Sequence, residues 1–599
     1  MIKHRVDTKI IFFLFTFVST FSYQLNAQQN TKLAVVIVVD QFAYHFIQRL
    51  QKHFSGGLKH LLRNGINYTN AHQPHGVPST STGHTAFSTG TNAQAHGIIR
   101  NEWLNPMGEL VICDQDSPEN AAVFTPEGTL YQYGRSAKQI LVDTISDQVV
   151  LDSSKNKVFA VSLKSRAAIC CAGKLGKAIW LDKDTGTFTS SKAYFNELPE
   201  WVVSFNNNYM RQPQKLRKNF FFNQDTNTEQ STIPFNEMIT WKPAYSYRPH
   251  LFYRIKRSQK LPTLFSTPQE KSDTTIYRQF SRTPHGNKTV LDVALECIKT
   301  QYDKENGKML LWISLSSLDM LGHRVGPHDV KVIDILYHLD TQLKSFFREI
   351  KHHIDSEQTV FFLTADHGVS PTPEYLHKKG IKSARRIIDE TLINPMNQLL
   401  KIKYGIQNLL IKFLAPDFYF DLSQWDLIDL DTKKMIFNNL KNYLINQPGI
   451  SHAWSAQELQ QLCLQPGSIE SFFQHQYHQL RSGQLIVQPE PYNFITSYHG
   501  GTTHWSPYNY DTHIPLVVYQ KRKYHNKKIN TKVWAPQVGN TIAHMLDVSQ
   551  PSASTFEVLP GIRAAIVDTI EKEIKTTLSA QPRSMVKNDR PSCNRCSVR

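Results

Sequence analysis

Leu33–Val39 reads LAVVIVV, an unbroken run of apolar, mostly β-branched residues that stops at Asp40. A strand buried on both faces has this pattern; a strand with one wet face alternates. Lys157–Leu163 (KVFAVSL) is a second such run, Leu310–Leu318 (LLWISLSSL) a third that ends at Asp319, and Thr359–Ala365 (TVFFLTA) a fourth that ends at Asp366-His367. Ile514–Tyr519 (IPLVVY) is a fifth. Between runs the period changes. Phe46, Ile47 and Leu50 follow the first at helical spacing, and Ile335, Leu336, Leu339, Leu343, Phe346, Phe347 and Ile350 follow the third every three or four residues. Strands alternating with helices predict an α/β fold, a mostly parallel central sheet flanked by helices. Ligands of such sheets sit beyond the carboxyl ends of the strands. Asp40, Asp319 and Asp366-His367 are therefore expected on one rim.

Two segments interrupt the alternation. Residues 185–285 are rich in Asn, Gln, Lys, Pro and aromatics, and residues 376–500 mix helical stretches such as Asn397–Leu414 with polar runs. Both read as insertions that cap the rim of one domain spanning 28–580. Residues 581–599 are basic and polar, the composition of a disordered tail. At the other end, Lys3, His4 and Arg5 precede the apolar Ile10–Val18, and Leu25-Asn26-Ala27 precedes polar Gln28. That is the layout of a signal peptide over residues 1–27, with an apolar run short for a bilayer span. The expectation is an exported protein, periplasmic or secreted, with no membrane association once the segment is cleaved.

Composition narrows the picture only slightly. The 599 residues are 40% hydrophobic and 20% charged, as in globular proteins. A formal charge of +17 favours anionic partners, phosphorylated substrates among them. No segment interleaves Lys/Arg with aromatics, so nucleic acid is not expected as a specific partner. Seven cysteines exclude a disulfide scaffold, and the CxxC at Cys593 and Cys596 reads as a tail disulfide or two thiols rather than a zinc site. Nothing in the sequence fixes the oligomeric state.

The candidate chemistry starts at Gly76–Gly90, GVPSTSTGHTAFSTG, read as a glycine-broken loop with several hydroxyls around His84. An alcohol needs a metal or a base beside it to act as a nucleophile. Metal-competent residues are present. Asp319 and His323 are four apart and share a face on a turn of helix, Asp366-His367 is followed by Gly368, and His504 ends a Gly-Gly-Thr-Thr-His run. With Asp40 these make three Asp and three His, a mixed oxygen and nitrogen set that suits zinc and suffices for two ions with open positions. Singly each has a plainer reading: a strand-end Asp is commonly a helix cap, and a lone His a surface or loop residue.

The order Asp40, the Thr80 stretch, Asp319-x-x-x-His323, Asp366-His367-Gly368, then His504, Asp511 and Ile514-Pro515-Leu516 resembles the alkaline phosphatase superfamily. Its nucleotide pyrophosphatase/phosphodiesterase-like branch is the nearest, and within it the broad-specificity phosphate monoesterases. The resemblance runs from about Leu33 to Leu546 and implies an α/β sheet carrying two Zn²⁺. It implies that Asp40, Asp366 and His367 hold one zinc, which also takes the Thr80 oxygen, and that Asp319, His323 and His504 hold the other. Thr80 falls on the nucleophile, with Ser79, Ser81, Thr82 and Thr85 as supporting hydroxyls. Asn101 falls on a phosphate-binding Asn, and Lys164 and Arg166 on the pair that marks monoesterases. Two cations beside the phosphoryl group favour a dianionic monoester and occupy the space a diester's second substituent needs. The implied activity is hydrolysis of small phosphate monoesters through a phosphothreonine, with phosphodiesterase or nucleotide pyrophosphatase action as the alternative. Pro78-Ser79-Thr80-Ser81-Thr82 lacks the arginine of the sulfatase CxPxR motif, which argues against that branch.

Overall fold

All five apolar runs become strands of one ten-stranded sheet in the computed structural model, which describes residues 31–210 and 276–562. The strands are β1 (Leu33–Val39), β2 (Ile66–His72), β3 (Lys157–Ser162), β4 (Lys177–Leu181), β5 (Phe188–Thr189), β6 (Met309–Leu315), β7 (Thr359–Thr364), β8 (His513–Gln520), β9 (Lys527–Ile529) and β10 (Val533–Trp534). Their order is β5-β4-β3-β6-β1-β7-β8-β2-β9, with β10 also on β2. From β4 to β7 the strands are parallel; β8 is antiparallel to both β7 and β2. The sheet is thus mostly parallel, as the alternation predicts. β1, fully buried along its length, lies at its centre. Val38 is level with Ser314 of β6 and with Thr364 of β7, so three strands end at one height.

The connections leaving these strands decide the site. The third run overreaches: β6 stops at Leu315, and Ser317–Val325 is a helix. Asp319 therefore sits in a first helical turn rather than at a strand end. The Gly76–Gly90 stretch is not a loop. Thr80–Thr89 is a helix buried at every position. Ser and Thr are mediocre helix formers because their hydroxyls compete for backbone groups. Here Thr85 Oγ1 donates to Ser81 O at 2.7 Å and Thr89 Oγ1 to Thr85 O at 2.7 Å, so these two hydroxyls are satisfied inside the helix and can be buried. Among the helices are α1 (Thr80–Thr89), α2 (Ser165–Ala172), α3 (Ser317–Val325) and α4 (Val330–Ile350). α4 is the amphipathic helix of the sequence, its apolar stripe buried.

The segment read as the second insertion has a core of its own. It contains α5 (Glu390–Tyr404), α6 (Leu430–Ile445) and α7 (Ile469–Gln476). An antiparallel sheet runs in the order Leu410–Leu414, Asp417–Phe420, Leu485–Pro489, Ile450–Ser455. Met396, Leu400, Phe418, Ile436, Leu440 and Leu444 pack together with no exposure. The helix expected over Asn397–Leu414 ends at Tyr404, where Gly405 turns left-handed (φ 70°), and Leu410–Leu414 is a strand. Most of the segment 185–285 read as an insertion, the segment 1–27 read as a signal peptide, and residues 581–599 with their CxxC lie outside the described residues. The described residues up to Val558 form one compact unit; the second, from Leu559, contributes only Leu559–Ile562 to the described residues.

Candidate active site

Asp40 follows β1 directly, and its N–H donates to Leu315 O of β6 at 3.1 Å. Asp366 and His367 follow β7, the next strand. Because β1 and β7 are in register, the three side chains converge: His367 Nε2 is 3.4 Å from Asp40 Oδ1 and 3.5 Å from Asp366 Oδ2. All three are fully buried. The second group forms across α3 and the loop before β8. His323 Nε2 is 3.2 Å, and His504 Nε2 3.9 Å, from Asp319 Oδ1. In each group the ligand-competent atoms lie within 4.8 Å of one another.

These atoms behave as a cation site requires. Asp40 Oδ1, Asp366 Oδ2 and His367 Nε2 are buried without a hydrogen-bond partner, although such groups are costly to leave unpaired. The imidazoles are oriented for metal. His367 Nδ1 is 3.0 Å from Gly368 O, His323 Nδ1 2.9 Å from Thr502 O and His504 Nδ1 2.7 Å from Pro78 O. A carbonyl only accepts, so each Nδ1 carries a proton and each Nε2 faces the carboxylates. Burial acts to lower His323, but Asp319 beside it outweighs that and raises it. Burial, then the neighbouring imidazoles, holds His504 well below the usual histidine value, and burial lowers His367, so both are neutral. Burial also pushes the Asp40 carboxyl well up, helped by Asp319 and Asp366 and opposed by Lys164. Negative charge is in excess here, and two divalent cations fit the donor set.

Two residues tie the groups together. Lys164 Nζ is 2.5 Å from Asp40 Oδ2, 2.5 Å from Asp319 Oδ2 and 3.2 Å from Thr80 Oγ1. Burial acts to lower its pKa, but the two carboxylates outweigh that and raise it, so it is charged. The other is Gln41, which carried no signal in the sequence. Its N–H donates to Asp366 Oδ1 at 3.1 Å and its Nε2 to Asp319 Oδ1 at 2.9 Å. It holds a left-handed backbone (φ 67°), a strain that non-glycine residues keep only where surroundings enforce it.

Thr80 is the first residue of α1, after Ser79 at the cap position. The free N–H groups of a helix start favour negative charge at that end. The helix can come this close because position 83 is glycine: a Cβ there would lie 2.3 Å from Asp366 O. His84, one turn on, sets its Nδ1 2.7 Å from Thr80 O and 3.4 Å from Asp366 Oδ2, a contact the sequence did not announce. Asn101 Oδ1 accepts from Ser81 N–H at 3.1 Å, which leaves its amide donors for a ligand. Lys164 reaches the site from the start of a helix. β3 stops at Ser162, Lys164 stands at the N-cap position of α2 and Arg166 is the second residue of that helix. Ser79 and Thr82 hydrogen-bond each other at 2.9 Å, and Thr85 bonds within α1, so neither pair member nor Thr85 competes with Thr80 at the Lys164 ammonium.

Residues 34–513 match the family described as type I phosphodiesterase/nucleotide pyrophosphatase. Alkaline phosphatase PhoV of Synechococcus elongatus is 28% identical over 546 residues, covering 88% of this chain and 92% of the relative. Alkaline phosphatase PafA of Elizabethkingia meningoseptica is 28% identical over 544 residues, covering 88% and 94%. The crystal structure of wild-type alkaline phosphatase PafA superposes with a TM-score of 0.74 at 26% identity, over 88% of this chain and 98% of that one.

Proposed function

The chain belongs to the type I phosphodiesterase/nucleotide pyrophosphatase family, and from that premise we propose that it is an exported alkaline phosphatase that hydrolyses small phosphate monoesters through Thr80. The observation that carries this reading is the placement of Thr80 at a helix start, 3.2 Å from a buried lysine that also touches one carboxylate of each cation group. Asp40, Asp366 and His367 would hold one zinc and Asp319, His323 and His504 the other. Bound there, the ions would supply Lewis acidity to the Thr80 hydroxyl and to the departing oxygen.

The protein's own groups do the rest. The α1 dipole and the Lys164 ammonium favour the Thr80 alkoxide. Its oxygen forms the new bond to phosphorus while the ester P–O bond breaks; the Thr80 proton goes to solvent, and the departing alkoxide takes one from water to leave as the alcohol. Asn101, Lys164 and Arg166 neutralise the non-bridging oxygens, a positioning and charge effect. Water then hydrolyses the phosphothreonine and frees phosphate. Export rests on the composition of residues 1–27.

The family description favours a second reading, a phosphodiesterase or nucleotide pyrophosphatase on the same scaffold. Turnover of an aryl phosphate against its diester, on protein whose zinc content has been measured, separates the two. Monoester preference that collapses when Lys164 and Arg166 are replaced by alanine supports the monoesterase. Diester preference in the unaltered protein defeats it.

A further inference from the structure

The segment expected to cap the site bonds to the stretches of chain that lead to Thr80 and Asn101. Gln476, the last residue of α7, is 4% exposed. Its Oε1 accepts from Val77 N–H at 2.6 Å. Its Nε2 donates to Val77 O at 3.1 Å and to Ile99 O at 2.8 Å. Val77 lies on the approach to Thr80, and Ile99 on the approach to Asn101. One carboxamide thus joins the backbones that carry the proposed nucleophile and the proposed phosphate ligand.

Neighbouring contacts brace the same two strands of chain. Gly76 N–H donates to Phe472 O at 3.0 Å. Arg481 donates to Gly97 O at 2.7 Å and to Gln139 O at 2.9 Å, and its guanidinium lies 4.6 Å from the Trp103 ring centre. In the opposite direction Arg100, beside Asn101, reaches into the insertion's sheet, donating to Asp417 Oδ2 at 3.0 Å and to Tyr419 OH at 2.8 Å. Tyr419 OH in turn donates to Arg481 O at 2.7 Å. The 97–103 segment is held from both sides, with Asn101 in its middle and bonded to Ser81 N–H.

We propose that the insertion is a clamp that fixes Asn101 against Thr80, with Gln476 as its positioning residue. The proposal rests on the reading of Asn101 as a phosphate ligand. A shift of about 1 Å in such a group is enough to cost on the order of a hundredfold in rate.

The test is a double-mutant cycle on the zinc-loaded full chain, read as the inhibition constant for inorganic phosphate. Gln476→Ala should weaken phosphate about tenfold in the parent and leave it unchanged in the Asn101→Ala background, because a residue acting only through Asn101 has nothing left to act on. Gln476→Met, which keeps the volume and loses the hydrogen bonds, gives the same readout if the alanine variant fails to fold. Losses that add in the double variant, or no loss in either single Gln476 variant, overturn the clamp. If Asn101→Ala itself leaves phosphate inhibition unchanged, the ligand assignment falls and the clamp falls with it. That result differs from the clamp's own failure, in which Asn101→Ala weakens phosphate but Gln476 does not matter.

Discussion

At the residue scale, Thr80 bears the heaviest assignment. Replacing it by alanine is expected to lower kcat by at least about a thousandfold, the size of loss seen when a nucleophile is removed. Zinc per chain should stay largely unchanged, since six other side chains supply the two groups. Retained turnover would move the nucleophile to another hydroxyl. The residues legible in the sequence were those whose type announces chemistry: Asp40 and Asp366-His367 just past strands, Asp319 and His323 on one helix, and His504 in a loop are all carboxylates or imidazoles. Gln41 and Gln476 were not legible. An amide has no reserved chemistry, and Gln476 meets Val77 only because the chain folds back across 399 positions.

At the scale of elements, the close approach of α1 to the turn after β7 is the joint that matters. Gly83→Ala would press a methyl group into the backbone of Asp366, which cannot rotate away. Overpacking of that kind costs about 1–3 kcal/mol, and here the displaced atoms belong to a candidate ligand. Lower thermal stability and less zinc per chain are expected together. Full zinc content would show that helix and turn slide independently. β1, β3 and β7 could be read to within a residue because a doubly buried strand leaves a solid apolar signature. β2 (INYTNAH) leaves none, with polar residues at several half-exposed positions. α1 reads as a loop because its sequence has loop composition. Its helical state comes from burial and from hydroxyls turned onto carbonyls, which only the tertiary fold supplies.

At the scale of the whole molecule, the ion pair between the insertion's Asp417 and Arg100, the neighbour of Asn101, has a pH signature. Burial pushes the Asp417 carboxyl up to about 6, even with Arg100 beside it. The native carboxyl therefore keeps its proton at pH values where the unfolded chain has lost it. Stability is highest below the unfolded value and falls as pH rises toward 6. Unfolding of the wild type and of Asp417→Asn between pH 4 and 7 should diverge by about 1–3 kcal/mol, with the wild type losing ground as pH rises. Parallel curves would mean that the Arg100–Asp417 pair titrates as an exposed one does. The mostly parallel sheet could be read from the change of period between strands and helices. The insertion's internal core and its hold on residues 97–103 could not, because those contacts are all long-range.

β8 runs against its neighbour β7, so the rim lies where β8 begins and not where it finishes. Asp40 and Asp366 trail their strands, but a donor from this stretch has to come ahead of its own, and His504 does. Turning one strand around lets the polypeptide enter the cluster from the flank that the co-directional strands leave bare, and so the ring of donors closes.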